Sequence, residues 1–159
     1  MRRILDLRIV RWEFKLLYVA AAFGIGYPLR ALLFAAGAPT FVASILDALV
    51  TIGAFVLGAR LFRGDGEKVA PPRPWWRMTA WPTLSRNLGI LFAFMSVSFV
   101  LTAVRVVQTA IPIYSIVDSS IGALQFAVLA FLYLNSAVRL TRGGFSKPER
   151  LRPPPPLRF

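Results

Sequence analysis

Four long apolar segments dominate this sequence and decide its fold class. A hydrocarbon core about 30 Å thick is spanned by roughly 20 apolar residues in a helix. Backbone polar groups inside a bilayer must be bonded within the spanning segment, so each such segment is predicted to be a transmembrane α-helix. The chain is therefore predicted to be all-α, an integral membrane four-helix bundle. The predicted spans are approximately 16–36, 41–62, 88–110 and 114–138.

The composition and the lengths of the remaining segments agree with this class. Hydrophobic residues make up 57% of the 159 residues and charged residues only 16%, whereas charged residues are about a quarter of a soluble domain. The transmembrane domain is predicted to occupy 16–138. An N-terminal segment (1–15), a middle loop (63–87) and a basic, proline-rich tail (139–159) remain outside the spans. Each is too short to form a folded soluble domain.

The positive charges predict the topology. The 19 Lys and Arg residues are concentrated in the N-terminal segment, the middle loop and the tail, and they are absent from the short turns 37–40 and 111–113. By the positive-inside rule, both termini and the middle loop are cytoplasmic and both turns face outward. We expect a multi-pass protein of the cell membrane, and this layout is typical of small proteins of the bacterial inner membrane. The net charge of +12 suits anionic inner-leaflet lipids, and no nucleic-acid partner is expected.

Each predicted hairpin carries one arginine and one aspartate inside the hydrocarbon, on either side of its turn. Arg30 and Asp47 flank the first turn, and Arg105 and Asp118 flank the second. Ionisable residues within transmembrane segments are rare and usually paired, so these four are the strongest candidate functional residues. Pairing within a hairpin, between hairpins and to another protein all satisfy the same depths. For the arginines, snorkelling to the outer headgroups is a further alternative.

The spans contain two other candidate functional features, a polar stripe and a proline. The fourth segment has the longest polar stripe, which includes Asp118, Gln125 and Ser136. In the first segment, Pro28 removes one backbone hydrogen bond. Pro28 therefore predicts either an ordinary membrane kink or a broken helix at a ligand or ion site.

Outside the spans, tryptophans beside basic residues are predicted to anchor the protein at the membrane interface. The residues are Trp12, Trp75, Trp76 and Trp81. For the tryptophans of the middle loop, a protein docking patch is the alternative. The segment 1–15 is predicted to form an amphipathic helix on the inner leaflet.

The two hairpins also align weakly with each other. The sequence at 44–47 matches 115–118, and the sequence at 60–64 matches 139–143. Both copies would begin and end inside, so they would be tandem parallel hairpins related by an axis along the membrane normal. Coincidence combined with the shared constraints of a hairpin is the alternative explanation.

The residue inventory argues against an enzyme. The chain has no cysteine and no histidine, which excludes thiol chemistry, histidine ligation of heme and the commonest zinc sites. The seven acidic residues form no paired-carboxylate motif of the kind that general acid–base catalysis uses. We therefore expect no catalytic residue, no metal site and no cofactor.

These features favour a non-enzymatic accessory or assembly subunit of a larger membrane complex, in which the intramembrane Arg and Asp residues specify helix packing. Its expected partners are the lipid bilayer and other membrane proteins or further copies of itself. The alternative is a small oligomeric transporter or channel that uses the polar stripe of Asp118 and Gln125.

Overall fold

The computed structural model has four α-helices, and it describes residues 9, 11–63, 74, 76–108 and 113–145. All four helices are long and apolar enough to cross a membrane, and no strand is formed within the described ranges. The prediction of an all-α membrane four-helix fold is therefore confirmed. The helices are α1 (Trp12–Ala35), α2 (Thr40–Leu61), α3 (Pro82–Gln108) and α4 (Ile113–Arg142).

We call the end of the fold at which α1 and α3 begin and α2 and α4 end the basic end. The second hairpin has longer helices than predicted there. Helix α3 begins at Pro82 rather than at 88, so the last part of the predicted middle loop is helical. Proline suits the first turn of a helix because its missing N–H has no partner there and its φ is already helical. Helix α4 continues beyond 138 to Arg142 and is followed by Gly144, whose φ of 69° suits a glycine at a helix end.

The described part of the N-terminal segment is extended before α1 begins. The Ile9 N–H donates to the Leu61 carbonyl at 3.0 Å, and the Arg63 N–H donates to the Ile9 carbonyl at 3.2 Å. Arg11 has φ −66° and ψ 134°, which is also extended. The predicted amphipathic helix over 1–15 is therefore wrong at Ile9 and Arg11, while 1–8 and 10 lie outside the described residues.

Helix α4 lies at the centre of the packing. Helices α3 and α4 form the most extensive contact, α2 packs against α4, and α1 packs against α2. Two glycines allow α3 and α4 to approach closely. A Cβ on Gly89 would lie 2.7 Å from the Leu134 side chain, and a Cβ on Gly122 would lie 2.7 Å from the Phe99 ring. The two helices therefore pack as small-residue membrane interfaces do.

An aromatic cluster packs the middle of the fold. Phe92 stacks on Phe126 with ring centroids 6.1 Å apart, and it contacts Phe55 edge-on at 5.2 Å and Tyr133 at 5.4 Å. Phe92, Phe126 and Tyr133 are each at most 6% exposed. Interlocked rings of this kind add about 0.5–1.5 kcal/mol per pair beyond the area that they bury.

The residues just before α3 fold against the basic end of α4. Met78 is 4% exposed, and its N–H donates to the buried Ser136 hydroxyl at 3.0 Å. The Ser85 hydroxyl, at the start of α3, donates to the Tyr133 carbonyl at 2.9 Å. This end of the middle loop is thus part of the packed structure.

We expect Gly89→Ala and Gly122→Ala each to lower the stability of the protein in detergent. The added methyl group would overlap Leu134 or Phe99, and overpacking of this kind costs about 1–3 kcal/mol. The larger loss is expected at Gly89, because its Cβ would also lie 3.1 Å from the Leu134 backbone nitrogen, which cannot rotate away. Thermal unfolding measures both effects.

Gly53→Ala is the matched control for these two substitutions. Gly53 lies in the interior of α2, and a Cβ there meets nothing within 4 Å. Alanine is favoured over glycine in a helix by about 0.5–1 kcal/mol, so this variant should be as stable as the parent protein or more stable. Equal destabilisation by all three substitutions would contradict the close approach of α3 and α4.

Candidate functional site: a charged cavity between the hairpins

An ion pair joins the two hairpins. Arg30 of α1 contacts Asp118 of α4, with Nη2 and Oδ1 2.8 Å apart. The Ser44 hydroxyl of α2 lies 2.7 Å from the same Oδ1 and 3.0 Å from the Thr40 carbonyl. A hydroxyl has one hydrogen to donate, and the charged acceptor makes the stronger bond. Three helices therefore converge on one carboxylate oxygen.

The positions of these residues along their helices explain why they meet. Arg30 lies five residues before the end of α1, Asp118 five residues after the start of α4, and Ser44 four residues after the start of α2. At 1.5 Å per residue, all three are about 6–8 Å from the end of the fold at which α1 and α3 end and α2 and α4 begin, which we call the turn end. Similar depths did not show from the sequence which arginine pairs with which aspartate. In the structure, Arg30 pairs with Asp118 of the other hairpin.

Beside this ion pair lies a cavity of about 300 Å³, to which all four helices contribute. We call it the charged cavity. Thr51 and Gln125, which also line it, are 11 and 12 residues from the starts of α2 and α4, or about 16–18 Å along the helix. The charged cavity thus extends from the level of the ion pair to about the middle of a 30 Å hydrocarbon core. Its lining residues are Gly26, Tyr27, Arg30, Ser44, Asp47, Thr51, Phe99, Asp118, Ile121, Gly122, Gln125 and Phe126.

Asp47 gives the charged cavity an excess of negative charge. Its carboxylate lies against Gly26, since a Cβ on that glycine would be 2.5 Å from Oδ1. Within the described ranges, Asp47 makes no hydrogen bond or ion pair. The lining includes two aspartates and the single arginine. Arg30 is matched by Asp118, which leaves the Asp47 carboxylate without a counter-charge.

Two further side chains in the lining carry polar groups. Gln125 is 8% exposed and Thr51 is 5% exposed, and among the described residues neither side chain makes a hydrogen bond. Neither polar group is among the fully buried atoms that lack a partner, so both reach the open space of the charged cavity. The amide and the hydroxyl are thus available to whatever occupies the charged cavity.

The structure places the other predicted site residues away from the charged cavity. Ser136 fixes Met78 at the basic end, so it does not continue the stripe of Asp118 and Gln125. Arg105 is exposed in the last turn of α3 and is not part of the lining. Helix α1 is continuous through Pro28, so the backbone is not broken there.

The predicted tryptophan anchors are distributed around the basic end. Trp12 is 66% exposed at the start of α1. The Arg139 guanidinium lies 5.8 Å from the centroid of the Trp76 ring, and Trp81, which directly precedes α3, is partly buried. Trp75 lies outside the described residues. Their role at a membrane interface stays a prediction.

Ser44 and Thr51 line the charged cavity but were not among the predicted site residues. Their positions carried a usable signal, because Ser44, Asp47 and Thr51 recur at spacings of three and four residues, which places them on one helix face. Three polar residues on one face of an otherwise apolar span indicate a surface turned away from lipid.

Comparison with family models, with curated proteins and with solved structures gave no match. Within the described part of the chain, no group of three or more Asp, Glu, His or Cys residues could hold a metal ion. The interpretation of the charged cavity therefore depends on its geometry and charge.

We expect Arg30→Gln and Asp118→Asn each to lower the thermal stability of the protein. Each substitution removes a charge-assisted hydrogen bond, worth about 1.5–3 kcal/mol. The single charge reversals Arg30→Asp and Asp118→Arg should also be destabilising, because each places two like charges together. The double variant that combines them should be more stable than either one, because the pair is restored. Arg60→Gln is the matched control, since Arg60 is exposed in the last turn of α2. A double variant that is no more stable than the single reversals would show that this contact does not hold the hairpins together.

Proposed function

We propose that the protein is a non-enzymatic accessory or assembly subunit of a larger membrane complex. The observation that carries this proposal is the exposure of a charge pair at hydrocarbon depth. The Arg30 and Asp118 side chains remain 31% and 41% exposed, although each lies about 8 Å inside its helix end. A charge facing lipid tails costs several kcal/mol. A polar group of a partner helix, or water held by a partner, covers this opening in the assembled complex.

The outer faces of α1 and α3 support the same proposal. Only 6% of the most apolar part of α1 and 11% of that of α3 are buried within the chain. Tyr27, which lines the charged cavity, is itself 82% exposed. These helices offer apolar surface to lipid tails and partner helices alike, and Tyr27 is shared by the charged cavity and the exposed face of α1.

Within this proposal the protein spans the cell membrane of a bacterium, with both termini and the middle loop in the cytoplasm. The described arginines outside the charged cavity support the orientation, because all but Arg105 lie at the basic end. Such cations also suit anionic inner-leaflet lipids, and no nucleic-acid partner is proposed. The residues are Arg11, Arg60, Arg63, Arg77, Arg86, Arg139 and Arg142.

A small oligomeric transporter or channel is the second candidate, and a specific observation favours it. The charged cavity extends from the ion pair to about mid-membrane depth, where Gln125 and Thr51 line it. A solute entering from the turn end would meet Asp118 first and Gln125 last. Beyond Gln125, the aromatic cluster around Phe92 and Phe126 would have to open for the solute to cross.

Native mass spectrometry of the protein, extracted gently from its own membranes, distinguishes the two candidates. An accessory subunit should be recovered with other polypeptides at a fixed stoichiometry, and Asp118→Asn should reduce that recovery. A homo-oligomer without foreign polypeptides would contradict the subunit proposal. It would favour the transporter, for which Asp118→Asn should abolish solute flux and leave the oligomer intact.

Cysteine labelling tests the proposed orientation, since the chain has no native cysteine. We expect Ala38→Cys, in the first turn, to react with a membrane-impermeant maleimide on intact cells. Thr83→Cys, at the exposed start of α3, should react only after the membrane is permeabilised. The reverse pattern would show that the basic end faces outward.

A further inference from the structure

The excess negative charge of the charged cavity has a consequence beyond assembly. The Asp47 carboxylate has no counter-charge within the described residues, and the lining adds Thr51 and Gln125, which are more than nine-tenths buried and make no hydrogen bond there. A carboxylate, a hydroxyl oxygen and an amide oxygen are all acceptors. Their number equals the three N–H donors of an ammonium group.

The size and the aromatic lining indicate an organic cation. The volume of about 300 Å³ is far larger than the roughly 10–15 Å³ of such space that one water molecule needs, so a single desolvated alkali ion would leave most of it empty. Tyr27, Phe99 and Phe126 provide aromatic surface in the same lining. Aromatic side chains attract ammonium groups through cation–π interactions and bind the apolar part of an amine.

We propose that the charged cavity binds a small organic ammonium ion, with the Asp47 carboxylate as its counter-ion and Thr51 and Gln125 as hydrogen-bond acceptors. Gly26 makes room for this arrangement, because any side chain there would displace the Asp47 carboxylate. Arg30 stays on Asp118 and so does not compete for Asp47. This binding does not depend on whether the protein is a subunit or a transporter.

The test uses the full-length protein in nanodiscs of phosphatidylglycerol, which lacks an amine, with benzylammonium as the probe. Benzylammonium should bind saturably in isothermal titration calorimetry and raise the thermal unfolding midpoint. Benzyl alcohol, which has the same ring without the charge, and sodium chloride at the same concentration should do neither. An equal effect of sodium chloride, or no saturable binding of benzylammonium, would overturn the proposal.

Three variants locate the site. Asp47→Asn should weaken benzylammonium binding by about 10- to 100-fold, as expected for loss of a hydrogen bond to a charged group, and Thr51→Val by about 2- to 10-fold. Glu13→Gln removes one negative charge from the exposed first turn of α1 and should bind as the parent protein does. If Asp47→Asn does not fold, Thr51→Val still decides. Unchanged affinity in the variants that fold would overturn the proposal.

A lipid headgroup could supply the same chemistry, and a second arm separates the two sources. The titration is repeated in nanodiscs that contain phosphatidylethanolamine. If this lipid weakens benzylammonium binding to the parent protein but not to the Asp47 or Thr51 variant, the site binds ammonium groups and the lipid headgroup can supply one. Unchanged benzylammonium affinity would support a site for free amines.

Discussion

A charge that faces hydrocarbon costs several kcal/mol unless it is paired. Arg30 and Asp118 lie inside their spans, on different hairpins, and satisfy each other at 2.8 Å, with the Ser44 hydroxyl on the same oxygen. Because the two charges belong to the first and the last helix, their contact fixes how the first hairpin sits on the second. Helix α1 otherwise packs mainly on α2, so this pair ties it to the centre of the fold.

Helices in lipid have no hydrophobic driving force for association, so they depend on close contact and interhelical hydrogen bonds. Helices α3 and α4 have both. Glycines at 89 and 122 bring α3 against α4. The Ser96 hydroxyl donates across this contact to the Ala123 carbonyl at 2.8 Å, as the Ser85 hydroxyl does to the Tyr133 carbonyl nearer the basic end. The result is a firmly packed second hairpin, on which the first hairpin encloses a polar space.

The sequence was sufficient to predict the four helices because hydropathy over about 20 residues reflects the thickness of the bilayer directly. It also indicated Arg30, Asp47, Asp118 and Gln125, which line one cavity, because ionisable and polar residues stand out in an apolar span. The partner of Arg30 was not predictable, since Asp47 and Asp118 lie at comparable depths and only the packing of α2 on α4 distinguishes them. Ser136 looked like part of the same stripe, but its partner Met78 comes from a loop whose fold no periodicity reveals.

The bond from Arg30 across the hairpins to Asp118 can be detected by a distance measurement in bilayers. With ¹⁵N in the arginine guanidinium groups and ¹³C in the aspartate carboxyl groups, solid-state NMR dipolar recoupling should detect a short nitrogen–carbon contact within the membrane. That contact should disappear in Asp118→Asn and persist in Asp47→Asn. A contact that disappears in Asp47→Asn and persists in Asp118→Asn would place the pair within the first hairpin and contradict the account.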